Sequence, residues 1–140
     1  MKRQAVADWR GDLKTGKGSL STDSGVLRET PYSFSTRFEG EKGTNPEELI
    51  AAAHAGCFTM ALSAELGKVG LTAESLRTTA AVSLDKNDAG WGVTESHLDL
   101  VAKVPGASRE AFGKAAETAE ANCPISKLLK AKISLSWKLE

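Results

Sequence analysis

The stretch TNPEELIAAAHAGCFTMAL, residues 44–62, decides the fold because it predicts one long and largely buried helix. Asn45 suits the N-cap, and Pro46 suits the first helical position, where its missing N–H costs no hydrogen bond. The two glutamates that follow place negative charge at the positive end of the helix dipole. The remaining residues are apolar or small around nearly the whole circumference, which is typical of a helix covered on most sides. We expect this helix to end at about Gly67.

Segments before and after this helix predict β-structure. Apolar and polar residues alternate in several short runs, and turn-forming residues separate these runs. Residues 85–90 are polar and predict a hairpin loop between two of the strands. The predicted strands are Ala5–Trp9, Ser19–Thr22, Tyr32–Phe38, Ser75–Leu84, Trp91–Val104 and Lys132–Lys138.

Two further helices are predicted near the carboxyl end. Ser108 is a suitable cap for a helix from Arg109 to about Ala121. Pro124 opens a short helix that we expect to reach about Ala131. The order of elements is strand-rich segment, long helix, hairpin, two helices and strand, which predicts an α+β chain. At 140 residues the chain fits one domain, residues 1–140.

Composition argues against several classes of partner. Lys and Arg together number 18, as do Asp and Glu, so the formal charge is zero. Nucleic-acid-binding domains usually carry a clear positive excess, so no nucleic-acid partner is expected. The amino terminus lacks the apolar core of a signal peptide, and the low-charge stretch 49–64 is shorter than a typical membrane span. We therefore expect a cytoplasmic protein that does not enter a membrane.

The two cysteines, Cys57 and Cys123, are candidates for chemistry. In a reducing compartment a permanent structural disulfide does not account for them, so they are either inert buried thiols or a redox pair. Cys57 lies in the middle of the long helix, where a small buried side chain is the plainer interpretation. Apolar burial raises the pKa of a thiol, and a mid-helix position gains nothing from the helix dipole. A reactive Cys57 therefore requires a cation from elsewhere.

Arg37 is the nearest candidate for that cation, on the polar side of the predicted strand Tyr32–Phe38. The alternative is an arginine that simply faces solvent. Glu47 is the natural partner to hold it, and its alternative role is that of an ordinary first-turn carboxylate. A straight helix separates Glu47 from Cys57 by about 15 Å. Either the helix bends or begins later, or the site is assembled between two subunits, and we favour two subunits.

Cys123 and His54 are further candidates. Cys123 precedes Pro124 at a predicted N-cap, where free N–H groups favour a thiolate, although a cap without a redox role is the alternative. His54 shares a helix face with Cys57 and could act as a base or a metal ligand, but a packed histidine is the favoured interpretation. A zinc site needs three or four ligands, and the spacing matches no zinc module. No phosphate-binding loop is present, so neither metal nor cofactor is expected.

Three segments resemble the OsmC/Ohr peroxidase family. They are residues 31–62, which include Arg37, Glu47 and Cys57, together with residues 83–90 and residues 121–131 around Cys123. The similarity extends over essentially the entire chain. It is closer to the osmotically inducible OsmC group than to the organic hydroperoxide resistance (Ohr) group.

The resemblance implies an intertwined homodimer, with antiparallel sheets around long central helices. It implies that Cys57 is the peroxidatic cysteine and Cys123 the resolving cysteine, joined in a disulfide during turnover. It also implies that Arg37 stabilises the thiolate and that Glu47 orients Arg37. Organic hydroperoxides are the implied substrates, in defence against oxidative or osmotic stress. The apolar residues near Cys57 in the sequence predict that hydrogen peroxide is reduced less well; these are Ile50, Phe58, Met60 and Ala61. A dithiol, such as a dihydrolipoyl protein, is the implied reductant.

Two other functions are compatible with the same residues. One is a redox sensor or ligand-binding module, which oxidises once instead of turning over. The other is a metal protein built on His54 and Cys57. We rank the peroxidase first, the sensor second and the metal protein third.

Overall fold

A computed structural model describes all residues from Met1 to Glu140. Contacts between residues divide the chain into two compact units, Met1–Leu49 and Ile50–Glu140. The first unit contains a small sheet and a short helix, and the second contains a larger sheet with the main hydrophobic core.

Three antiparallel strands form the sheet of the first unit: β1 (Ala5–Arg10), β2 (Lys17–Thr22) and β3 (Thr30–Tyr32), in that order. The rings of Trp9 and Tyr32 pack 5.5 Å apart over Gly18. A Cβ atom at position 18 would lie 2.5 Å from the Tyr32 ring and 2.7 Å from the Trp9 ring. Glycine is therefore required at this position for the two aromatic side chains to pack.

The prediction of a strand over Tyr32–Phe38 is wrong beyond its first residue. After β3 the chain forms a short helix, α1 (Phe34–Phe38), with Ser33 as its N-cap. The Thr36 N–H donates to Ser33 Oγ and the Ser33 N–H donates to Thr36 Oγ1, which is a reciprocal capping arrangement. Phe34 and Phe38 satisfy a two-residue alternation and also the four-residue spacing of a helix, and their rings pack 4.9 Å apart. Capping and this ring contact favour the helix.

The long helix, α2 (Pro46–Lys68), confirms the predicted start and end. Asn45 Oδ1 accepts a hydrogen bond from the Glu48 N–H at 2.8 Å, as an N-cap should. α2 is long and apolar enough to cross a membrane by length and composition alone. The core helix of a soluble protein can meet the same criteria. The buried residues of α2 form a single stripe: His54, Phe58, Leu62 and Leu66. Within one chain α2 is therefore buried along one face, and the prediction that it is buried on most sides is not met.

The second unit contains three strands in the order β4 (Ser75–Asn87), β5 (Gly90–Lys103) and β6 (Lys132–Leu139). β4 and β5 are antiparallel, whereas β6 pairs with β5 in parallel, so one pairing departs from the expected antiparallel sheets. The two hairpin strands extend through most of the predicted loop, and only Asp88 and Ala89 connect them. The loop prediction was too long because polar residues continue these strands on an exposed part of the sheet.

Helices α3 (Arg109–Asn122) and α4 (Pro124–Leu128) lie between β5 and β6 in the chain. Ser108 caps α3 as predicted, and α4 ends three residues before the predicted Ala131. The core of the second unit combines the α2 stripe with one face of β5 and one face of α3. This arrangement confirms the α+β class. The fully buried members from β5 and α3 include Leu98, Leu100, Phe112, Ala116 and Ala119.

Candidate functional site

The second unit brings the two cysteines together. Cys57, in the middle of α2, is partly buried, and Cys123, between α3 and α4, is fully buried. The Cys123 Sγ donates to the Cys57 Sγ at 2.7 Å, although the residues are 66 positions apart in the chain. A disulfide bond is about 2.05 Å long, so a small movement would join the two sulfur atoms. This geometry is suited to reversible disulfide formation.

The immediate surroundings of Cys57 raise the pKa of its thiol. Burial raises the pKa of the Cys57 thiol, and its hydrogen bond with Cys123 acts in the same direction. A hydrogen bond from the Ile125 backbone N–H lowers this pKa and offsets part of the effect. None of the groups that set the pKa is positively charged. Within its own unit no cation lowers the pKa of the Cys57 thiol, so a reactive thiolate still requires a cation from elsewhere.

The first unit brings together the other two predicted site residues. Arg37 lies in the last turn of α1, not on a strand, and Glu47 lies in the first turn of α2. The Arg37 Nη2 donates to Glu47 Oε1 at 2.6 Å, and Nε donates to both carboxylate oxygens at 3.2 Å. The side chains are 38% and 13% exposed. Such multiple hydrogen bonding fixes the plane of the guanidinium group.

Thr36 holds this pair in place through the loop before α2. It is nearly buried, and its hydroxyl contacts the carbonyl oxygens of Ser33 at 3.0 Å and Thr44 at 2.9 Å. The Asn45 side chain donates to the Thr36 carbonyl oxygen at 3.4 Å. A single residue therefore ties α1 to the N-terminus of α2. This explains why Arg37 and Glu47 meet although ten positions separate them in the chain.

Arg37 lines a small cleft together with aromatic and aliphatic side chains. The cleft has a volume of about 70 Å³, and the Arg37 guanidinium carbon lies 5.3 Å from the centre of the Phe38 ring. The cleft therefore places a fixed cation beside carbon-rich surfaces. Its other lining residues are Trp9, Leu13, Tyr32, Ser33, Phe34 and Pro46.

His54 is a packed histidine, in agreement with the favoured interpretation. It is fully buried, with Nδ1 2.6 Å from Ser96 Oγ and Nε2 2.8 Å from Ser126 Oγ. Burial lowers the pKa of His54 and favours the neutral ring. The structure contains no group of three or more His, Cys, Asp or Glu side chains that could hold a metal ion. His54 and Cys57 therefore lack the further ligands that a metal site requires.

The sequence interpretation did not identify the two serines that contact His54. Ser96 occupies an inward position of β5, in a row continued by Leu98 and Leu100. A polar residue in an otherwise apolar row is a detectable signal that a buried polar partner exists. Ser126 lies 72 positions from His54, and no local pattern marks it.

Comparisons with known proteins agree with these features. The sequence profile of the family described as OsmC-like protein matches residues 39–138. The chain is 54% identical over 138 residues to Peroxiredoxin OsmC of Escherichia coli, covering 99% of this chain and 96% of that protein. It is 29% identical over 126 residues to the organic hydroperoxide resistance protein OhrB of Bacillus subtilis, covering 88% and 89% of the two chains.

Solved structures show the same fold. The crystal structure of Bacillus subtilis OhrB matches with a TM-score of 0.69 at 26% identity, covering 98% of each chain. An OsmC-like protein of unknown function from Vibrio cholerae matches with a TM-score of 0.78 at 19% identity, covering 99% of each chain. The matched profile and the extent of identity decide the assignment: the chain belongs to the OsmC family and is a cysteine-based peroxidase.

Proposed function

We propose that this protein reduces organic hydroperoxides through a two-cysteine cycle. The observation that carries the proposal is the 2.7 Å separation of the Cys57 and Cys123 sulfur atoms. The Cys57 thiolate attacks the O–O bond, the alcohol leaves after taking a proton, and Cys57 becomes a sulfenic acid. The Cys123 thiol condenses with it, forming the disulfide and releasing water. An external dithiol then reduces the disulfide by exchange.

Arg37 and Glu47 supply what the cysteine pair lacks. Burial holds the Cys57 pKa high, so an adjacent guanidinium group is needed to favour the thiolate. Arg37 is already oriented by three contacts with Glu47, and it is exposed enough to contact a further anion. We assign Arg37 to the stabilisation of the Cys57 thiolate and of the attacked peroxide. Glu47 is assigned to the orientation of Arg37.

The working form is a homodimer in which one copy provides Arg37 to Cys57 of the other. The α2 helix presents a stripe of small and apolar residues to solvent in one chain, and Met60 on it is 77% exposed. A second copy that covers this stripe would bury it. The spacing argument also favours two copies, because about 15 Å of helical rise separates Glu47 from Cys57. The stripe comprises Ala52, Ala53, Gly56, Met60, Ser63 and Ala64.

Mixed dimers test this arrangement. Under the proposal, Arg37→Ala and Cys57→Ser chains should each be inactive alone. If Arg37 acts across the dimer, mixing them restores about one active site in each mixed dimer. If Arg37 acts within its own chain, the mixture stays inactive, and the proposal of a shared site is wrong.

The cleft beside Arg37 supports a preference for organic hydroperoxides. Its aromatic and aliphatic walls offer an apolar contact surface to the organic group of the substrate, whereas hydrogen peroxide has no such group. The preference predicts a higher rate constant for cumene hydroperoxide than for hydrogen peroxide, and equal constants would contradict it. The reductant is proposed to be a dithiol of the dihydrolipoyl type. The proposed location is the cytoplasm, and the proposed role is defence against oxidative or osmotic stress.

Peroxide consumption by the wild type and two serine variants tests the cycle. With a dithiol supplied, the wild type consumes many equivalents of an alkyl hydroperoxide, and Cys57→Ser consumes none. Cys123→Ser reacts for about one turnover and then loses activity through over-oxidation of Cys57. A wild type that oxidises once and does not turn over with any dithiol would instead indicate a redox sensor.

A further inference from the structure

The proposed resolving cysteine is itself fully buried in the core, but the short helix that follows it, α4, has few attachments. Cys123 ends α3 and precedes α4, a five-residue helix with no buried residue. The Cys123 side chain makes no capping hydrogen bond to α4. Ile125 is partly buried against the core and its backbone N–H donates to Cys57, while Ser126 contacts His54. The position of α4 relative to α2 therefore depends on a small number of contacts.

His54 connects α4 to the buried face of β5. The ring lies on α2 one turn before Cys57, is 0% exposed, and bonds fully buried Ser96 through Nδ1 at 2.6 Å. Its other nitrogen, Nε2, contacts Ser126 Oγ at 2.8 Å. The hydrogen bonds therefore run from β5 through α2 to α4. Burial lowers the pKa of His54, so the neutral ring offers one donor and one acceptor to the two hydroxyls.

We propose that His54, acting through Ser126, is a positioning residue for the resolving step of the peroxidase cycle. The inference rests on the proposed function, because it concerns the condensation of the Cys57 sulfenic acid with the Cys123 thiol. That step forms the S–S bond, breaks the S–O bond and releases water. It requires Cys123 Sγ to stay beside Cys57 after the peroxide has reacted. The contact between His54 and Ser126 holds α4, and with it Cys123, at that distance.

Single-turnover oxidation of Ser126→Ala tests the proposal. The reduced protein receives one equivalent of cumene hydroperoxide, and samples are quenched and analysed for sulfenic acid and disulfide by mass spectrometry. Loss of one hydrogen bond predicts disulfide formation slower by about fivefold or more, with sulfenic acid formation unchanged. At excess peroxide the variant should also accumulate more Cys57 sulfinic acid, because the sulfenic acid lives longer.

Ser134→Ala is the matched control. It makes the same substitution and removes the hydrogen bond between Ser134 Oγ and His97 Nδ1 at 2.6 Å, together with the one that Ser134 Oγ donates to Glu95 Oε1 at 2.8 Å. Ser134 lies on β6 and is not part of the contact with α4. Disulfide formation in this variant should match the wild type. Equal rates in Ser126→Ala and Ser134→Ala would overturn the proposal.

Two substitutions of His54 separate positioning from general stability. In His54→Gln the side-chain amide would take the place of Nε2 and keep the hydrogen bond with Ser126. In His54→Asn the shorter amide would take the place of Nδ1 and keep the hydrogen bond with Ser96. Both variants should unfold at lower temperature than the wild type. The proposal predicts rapid disulfide formation in His54→Gln and slow formation in His54→Asn, and the reverse order would overturn it.

The same experiment separates the inference from the proposed function. A wild type that forms no disulfide with peroxide contradicts the two-cysteine cycle and the inference together. A wild type that forms the disulfide, with Ser126→Ala equally fast, contradicts the inference alone. Slow formation confined to Ser126→Ala and His54→Asn supports both.

Discussion

Replacing Thr36 by valine should weaken the structure that orients Arg37. The substitution keeps the shape of the side chain and removes its hydroxyl. That hydroxyl accepts from the Ser33 N–H at 2.9 Å and lies 3.0 Å and 2.9 Å from the carbonyl oxygens of Ser33 and Thr44. Because Ser33 and Thr44 are also nearly buried, water does not readily replace these contacts. Unpaired buried groups cost about 1–3 kcal/mol.

For a chain of this size, that cost corresponds to a drop in the melting temperature of about 3–10 °C. We expect calorimetry to show a drop in this range. The rate of Cys57 oxidation by cumene hydroperoxide should also fall, since α1 no longer holds Arg37 firmly beside Glu47. Stopped-flow measurement of that first step, with Cys123→Ser as the background in both proteins, isolates the effect.

Thr118→Val is the matched control for this experiment. The Thr118 hydroxyl also donates to a carbonyl oxygen, that of Lys114 at 2.8 Å, but this hydrogen bond is exposed to solvent. Surface substitutions of this kind usually change stability by less than about 0.5 kcal/mol. If Thr36→Val melts at the same temperature as Thr118→Val, the assigned role of Thr36 is wrong.

Three other predictions concern the core, the helix stripe and the buried histidine. Phe58→Ala should lower the free energy of unfolding by about 3–5 kcal/mol in urea denaturation, because Phe58 is fully buried. Met60→Glu should convert the proposed dimer into monomers in light scattering, with loss of turnover, and an unchanged dimer would contradict the role of the stripe. Because burial lowers the pKa of His54, the stability that its neutral form contributes is complete above about pH 6.5. This stability is lost as the pH falls through the lower pKa of the folded state, by at most about 1.4 kcal/mol per pH unit. Urea titrations from pH 7 to pH 5 should show the loss in the wild type and not in His54→Gln.

Local signals in the sequence predicted the starts of α2, α3 and α4. The N-terminus of α2 was predicted from Asn45 and Pro46, whose effects act within one helical turn. Ser108 marked the start of α3 for the same reason. The segment after Tyr32 failed because Phe34 and Phe38 fit two periodicities, and the deciding interaction was the cap formed by Ser33 and Thr36.

Long-range relations were not predictable from spacing. Nothing in the composition of β6 reveals that it pairs in parallel with β5, because a strand's partner is set by the whole fold. The cysteines are 66 positions apart, and only the family resemblance predicted that they meet. The His54 network depends on Ser126, which lies even further away in the chain.

The charged pair and the cysteine pair of the proposed site each form their contacts within their own unit. Arg37 is neutralised by Glu47 in the first unit, and the Cys57 thiol contacts Cys123 in the second. Under the proposed cycle, Cys57 stays protonated until Arg37 approaches it, because burial and the hydrogen bond with Cys123 raise the pKa of its thiol. A protonated thiol is a poor nucleophile, so a chain without its partner would react slowly with peroxide. Alkylation of Cys57 by iodoacetamide should therefore be faster in the dimer than in Met60→Glu monomers at neutral pH. The difference should shrink as the pH rises and both forms become thiolate.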